Sequence, residues 1–201
     1  MGDRIDLKKQ LQSLAFQQAG YFSAGQALDV GYSYQAQKYH VDRGNWQRVD
    51  RALFRLPGWP SEAADIYVRW CVWSGTYGVI SHQSAADVHG LGDFDAGDVH
   101  LTLPEPSKAT PVGAMLHSGS LSEDEIQRER GFRVTTPLRT VLDLTASNVA
   151  QESITAVIRD GLDASKLTAR RLRIAADSFG PTAALRIERA LLEVHSERGE
   201  E

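Results

Sequence analysis

The sequence predicts an α+β chain: an N-terminal winged helix-turn-helix followed by a mixed α+β domain ending in several helices. Three observations predict it. Tyr21–Pro57 reads as a helix, a glycine turn, a second helix and a tight pair of strands, the order of a winged helix-turn-helix. LPGWPSE at 56–62 then breaks regular structure, because two prolines and a glycine continue neither a helix nor a central strand. Beyond the break, short strand-like runs are followed by long stretches of helical period.

The elements follow in order. Ile5, Leu7, Leu11, Leu14 and Phe16 keep roughly helical spacing and predict a first helix. Ser23 caps a short helix whose small and apolar positions run from Ala24 to Leu28, and Gly31 supplies the turn. Ser33 caps the next helix, expected to reach Arg43 and stop at Gly44. There Ala36, His40 and Val41 share a face with Tyr32, while Tyr34, Gln35, Lys38 and Tyr39 point elsewhere. Trp46 to Arg55 reads as a hairpin wing with Arg48 and Arg51 at its tip. The domain boundary is placed at 58/59, giving 1–58 and 59–201.

In the second part a helix is expected from Ser61 or Ala63 to Trp73, and another, capped by Ser81, over His82–His89 and closed by Gly90. Strands are expected at Val99–Leu103, Val112–His117 and Gly131–Thr135. A Ser122–Glu125 capping box precedes an acidic turn, and Thr136-Pro137 starts a helix running to Leu144. Helices near 150–162, 168–178 and 181–195 complete the chain, with a frayed tail.

Charge is uneven. The chain carries a formal net charge of −4, yet residues 1–60 hold 8 Lys/Arg against 5 Asp, a local +3. A weakly positive reader on an acidic body fits local, salt-sensitive DNA contact, with paired operator sites making up for the modest excess. Gln and Lys read base edges and phosphates, and Tyr donates to phosphate. The expected DNA contacts are therefore Tyr34, Gln35, Lys38, Tyr39 and Arg43 on or just after the second helix, with Arg48 and Arg51 on the wing. The single cysteine, Cys71, lies in an apolar run and reads as a buried structural thiol in a reducing cytosol. With neither a signal-peptide core nor an apolar run of spanning length, a soluble cytoplasmic protein is expected.

Several blocks in order carry a family resemblance: GYSYQAQKYHVDRGNWQRVDRALFRLPG, GVISHQSAADVHGL, VHLTLP and GFRVTTPLRTVLDL, between about residues 20 and 145. In these the chain resembles the AbiEi-type antitoxins of bacterial type IV toxin–antitoxin systems, of the kind found in actinobacteria. The resemblance implies an N-terminal winged helix that binds operator DNA and represses its own operon. It also implies a C-terminal domain that counters a cognate nucleotidyltransferase-like toxin, directly or indirectly. Tyr34, Gln35 and Lys38 then fall on the recognition helix, and Arg48 and Arg51 on the wing. The departure from the family pattern is a helix poorer in Arg, with Asp42 among its residues.

The rival class is an enzyme, a metal-dependent nuclease or nucleotidyltransferase acting through HGLGDFDAGDVH, which holds His89, Asp93, Asp95, Asp98 and His100. Spacing opposes it. Asp93 follows Gly90 by three residues, without the strand context of a catalytic Asp pair, and Glu105 to Lys108 has the wrong spacing for a restriction-type nuclease. A polar loop with Asx-type turns is the plainer reading. His82 and His89 share a face of a short helix with no placed nucleophile, and His117 ends a strand. No catalytic residue, metal ligand or cofactor is implied. Lys166, Arg170, Arg171, Arg173, Arg186 and Arg189 on the last helices read as a solvated face, with Leu167, Leu172 and Ile174 inward. A third class is a pure protein-interaction module.

Overall fold

Local capping chemistry sets the first half of the chain. In the computed structural model, which describes residues 2–94, 97–108 and 111–199, helix α1 (Gly2–Phe16) is followed by strand β1 (Tyr21–Ser23) and helix α2 (Ala24–Val30). Ser23 and Gln26 form a reciprocal capping box, and Gly31 ends α2 at φ 115°. A side chain at Gly31 would be strained by that φ and would press to 3.0 Å from Leu7 Cδ2. Ser33 Oγ then accepts the Ala36 N–H and starts α3 (Tyr34–Asp42).

Strands β2 (Gln47–Asp50) and β3 (Leu53–Arg55) form the wing, and β1 completes a sheet of order β1-β3-β2. Strand β1 is absent from the sequence reading. Its register, Phe22 opposite Phe54, gives the three-stranded sheet its apolar face. Leu11, Ala15, Phe22, Ala27, Tyr32, Trp46 and Phe54 bury one core against this sheet. Of the apolar residues whose spacing predicts α1, Ile5 and Phe16 are exposed, and Phe16 meets the Trp59 ring edge-on at 5.8 Å. Helix α4 (Asp65–Trp73) follows, and Arg55 joins its first residue Asp65 in an ion pair while donating to the Ala19 and Pro60 carbonyls.

The chain divides into two compact units, residues 1–78 with 128–133, and 79–127 with 134–201. This division falls beyond the 56–62 break and takes α4 with the N-terminal elements. A second sheet is built from β4 (Val79–Ile80), β5 (Val99–Leu103), β6 (Ala114–Ser118), β7 (Ile126–Glu129) and β8 (Phe132–Thr135), in the order β6-β5-β4-β8-β7. Strand β6 begins at Ala114 rather than Val112, because Gly113 turns the backbone at φ 91°. Strand β5 runs parallel to β6 and antiparallel to β4. Helix α5 (His82–His89) links β4 to β5, and Gly90 closes it at φ 65°.

The helical remainder is α6 (Pro137–Ala146), capped as expected by Thr136, then α7 (Gln151–Asp163), α8 (Ala169–Phe179), which Thr168 caps, and α9 (Pro181–Gly199). Val141, Leu144, Ile154, Ile158, Leu172 and Ile187 are fully buried among them with Leu91. Ile174, expected inward, is 58% exposed. Arg186, expected on a solvated face, turns in and donates to the Thr145 carbonyl in the last turn of α6 and to the Ser147 and Val149 carbonyls just beyond it. Those carbonyls have no intrahelical partner, so the guanidinium fork does what a C-cap would. No helix among the described residues is long and apolar enough to cross a membrane.

Candidate nucleic-acid interface

Helix α3 is held by a side chain that polarity alone would place outside. Gln37 is buried, and its amide donates to the Ala24 and Tyr32 carbonyls at 3.0 Å each. The aromatic set Tyr32, His40 and Trp46 closes the same side, with the His40 and Trp46 rings stacked at 4.8 Å. That anchoring leaves Tyr34, Gln35, Lys38 and Tyr39 exposed. Gln35 and Tyr39 line an open groove of about 1340 Å³ with Leu7, Lys8 and Gln12 of α1 and with Trp59.

The charges on α3 and the wing are partly engaged. Lys38 Nζ lies 2.7 Å from Asp42 Oδ2, in a pair that is mostly in solvent. Arg43 caps the helix with its guanidinium 5.5 Å from the Tyr39 ring centre. On the wing, Arg51 occupies the two-residue turn with Ala52, whose φ is 58°. Arg48 is not at the tip: it sits on β2 opposite Phe54, with its guanidinium 5.8 Å from that ring centre. The register slips between Arg48 and Asp50, which leaves Val49 without a partner on β3. The Ala24 N–H bonds the Ala52 carbonyl at 2.8 Å, so the wing turn and the start of α2 are fixed together. Over the first unit, 12 Lys/Arg stand against 8 Asp/Glu, a net +4, so the second carries −8 of the total −4.

The described part of the acidic loop brings no ligand set together. Asp93 is exposed and Asp95 lies outside the described residues. Among the described residues, Asp93 and Asp98 belong to no group of three ligand side chains close enough to share an ion. His89 does not join His82 either; its Nε2 bonds the Thr135 carbonyl at 2.7 Å. Three other histidines meet instead. His82, at the start of α5, stacks on His117 of β6 with ring centres 3.6 Å apart, and His100 of β5 places Nδ1 2.9 Å from His117 Nε2. Burial, then its histidine neighbours and Arg139, pushes His82 down to about 3. Burial and His100 push His117 down to about 4. Burial also lowers His100, against the pull of Asp98. Sequence reasoning missed this trio. Its one local signal is that His100 and His117 each lie on a strand.

The comparisons with known proteins bear on both units. Residues 77–194, more than half of the chain, match the family described as the AbiEi antitoxin C-terminal domain. The crystal structure of the RV2827C protein from Mycobacterium tuberculosis is similar over 92% of this chain and 75% of that one, with a TM-score of 0.61. At 13% identity, that likeness concerns the fold alone. No curated protein matches the chain.

Proposed function

Given that the chain belongs to the AbiEi antitoxin family, we propose that this antitoxin represses its own operon by binding operator DNA and neutralises a nucleotidyltransferase-like toxin. The observation that carries the DNA half is α3: a capped helix, fixed by buried Gln37, that offers Tyr34, Gln35, Lys38 and Tyr39 to solvent on a net-positive unit. In this reading α3 enters the major groove, with Gln35 and Lys38 at base edges and phosphates. Arg51 at the wing turn, Arg48 on β2 and Arg43 at the helix end hold the phosphate backbone. An excess of four charges supports paired half-sites read by two copies rather than one tight contact. The protein acts without chemistry of its own, in the cytoplasm, and its acidic second unit with the antitoxin domain counters the toxin.

Two assays test this. Mobility shifts on the DNA upstream of the gene are expected to show binding that weakens steeply with salt and is lost on unrelated sequence. In cells arrested by a nucleotidyltransferase-like toxin encoded beside this gene, co-expression of this protein is expected to restore growth. Equal binding to any duplex would overturn the operator reading, and continued growth arrest would overturn the toxin assignment.

A further inference from the structure

We propose that His82, His100 and His117 form a binding site for a single divalent ion of the zinc class, with one coordination position left to water. The donor set selects the metal. Three imidazoles without a thiolate or a converging carboxylate suit zinc and its first-row neighbours, not magnesium or calcium. Three histidines and an open fourth position form a known zinc stereochemistry.

The spacing fits such an ion. One ligand atom from each ring lies within 4.8 Å of the others. His100 Nδ1 and His117 Nε2 are 2.9 Å apart. Two ligands bound tetrahedrally to zinc at ordinary Zn–N lengths sit about 3.3 Å apart, so this pair has to open by only tenths of an ångström. His82 and His117 are stacked, so His82 has to tilt out of the stack while Nδ1 keeps its bond to Ser81, which aims Nε2 toward the same point.

The backbone sets the three rings up. In the parallel register His100 lies opposite Met115 and Thr102 opposite His117, so both histidines project from one face of the sheet. The first turn of α5 grips His100 at both backbone groups. The Ser81 N–H donates to the His100 carbonyl at 3.1 Å, and the His100 N–H donates to Ser84 Oγ at 2.9 Å. His82 itself is held at φ 52°, a left-handed backbone uncommon for a residue with a side chain.

The outer partners fit a metal ligand as well. His82 Nδ1 is 2.9 Å from Ser81 Oγ, which in turn accepts the buried Thr102 hydroxyl at 2.8 Å. A hydrogen bond from Nδ1–H to that serine fixes the tautomer and leaves Nε2 with the lone pair, as ligating histidines are commonly held. The ion would tie α5 and the edge strand β6 to β5.

The test uses full-length protein freed of affinity tag and of metal. Titration with Co²⁺ is expected to give one equivalent with the visible absorption of tetrahedral cobalt, displaced by one equivalent of Zn²⁺, and Zn²⁺ is expected to raise the melting temperature. His100→Gln and His117→Gln should each weaken binding at least about tenfold, and Ser81→Ala by roughly tenfold. Far-UV circular dichroism confirms that each variant is folded. A second readout needs no variant: long-range ¹⁵N–¹H spectra of the wild type should shift three imidazoles at one equivalent of Zn²⁺. Substoichiometric binding, unchanged affinity in folded variants, or shifts confined to His40, His89 and His195 would overturn the proposal.

Discussion

Lys38 and Asp42 face each other one turn apart on α3, with Nζ 2.7 Å from Oδ2 and both side chains more than half exposed. An exposed pair of this kind contributes only about 0.2–1 kcal/mol, so a phosphate can take Lys38 from Asp42 at little cost. Asp42→Asn is therefore expected to tighten DNA binding severalfold at low salt. Lys38→Ala should weaken it and reduce the slope of log K against log salt by about one. Fluorescence anisotropy over a salt series measures both, and an unchanged slope in Lys38→Ala would show that Lys38 touches no phosphate.

Arg55 carries charge in the same segment but is committed elsewhere. It pairs with Asp65, donates to two backbone carbonyls and lies 4.6 Å from the Tyr21 ring centre, with its side chain 13% exposed. Arg55→Ala leaves the Asp65 carboxylate largely buried without its partner. It should cost roughly 3 kcal/mol in urea unfolding. Operator affinity of the variant, measured where it stays folded, should match the wild type; a large loss there would make Arg55 a DNA contact.

Gly161 lies inside α7, where alanine ordinarily stabilises a helix by about 0.5–1 kcal/mol. Here a Cβ would come within 2.3 Å of Leu167 Cδ1, and Leu167 is buried. The clash decides the sign, so Gly161→Ala is expected to destabilise by about 1–3 kcal/mol. A raised melting temperature would show that Leu167 moves aside freely.

Burial pushes the Cys71 thiol up to about 11, against the lowering effects of the Arg133 backbone and charge. A folded value above the unfolded one means that this contribution is complete below pH 9 and is lost as pH rises through about 11. Native protein should thus resist a thiol reagent such as DTNB at pH 8 and react once unfolded. Cys71→Ala should lose less stability than the wild type between pH 9 and 11, by up to roughly 3 kcal/mol. Rapid labelling of the native protein would contradict the buried thiol.

The parts legible in the sequence are those whose cause is local. Ser23, Gly31, Ser33 and the Thr136-Pro137 step mark helix ends because each acts on backbone within one turn, and α2, α3 and α6 fall where they point. Strands β1, β4 and β7 are not legible, since none carries a local hairpin signal or apolar alternation and each is recruited by a partner strand. The inward turn of Gln37 and Arg186 was hidden for the same reason: the carbonyls that recruit them lie on other elements. The histidine trio depends on a parallel register and on one left-handed residue, neither of which hydrophobic periodicity reports.

The first compact unit is not finished when residue 78 is made; it also needs residues 128–133. Gly131 there holds φ 86°, and a Cβ on it would meet the Gln17 carbonyl at 2.9 Å and Val68 at 3.2 Å, so the fit is close. On the ribosome, that patch waits until well over half of the protein has been synthesised. A nascent chain stalled or clipped before that point carries α3 on an incomplete support, so under the proposed function incomplete translation products would compete poorly for DNA. Residues 1–78 expressed alone are accordingly expected to melt below the same residues in the whole chain.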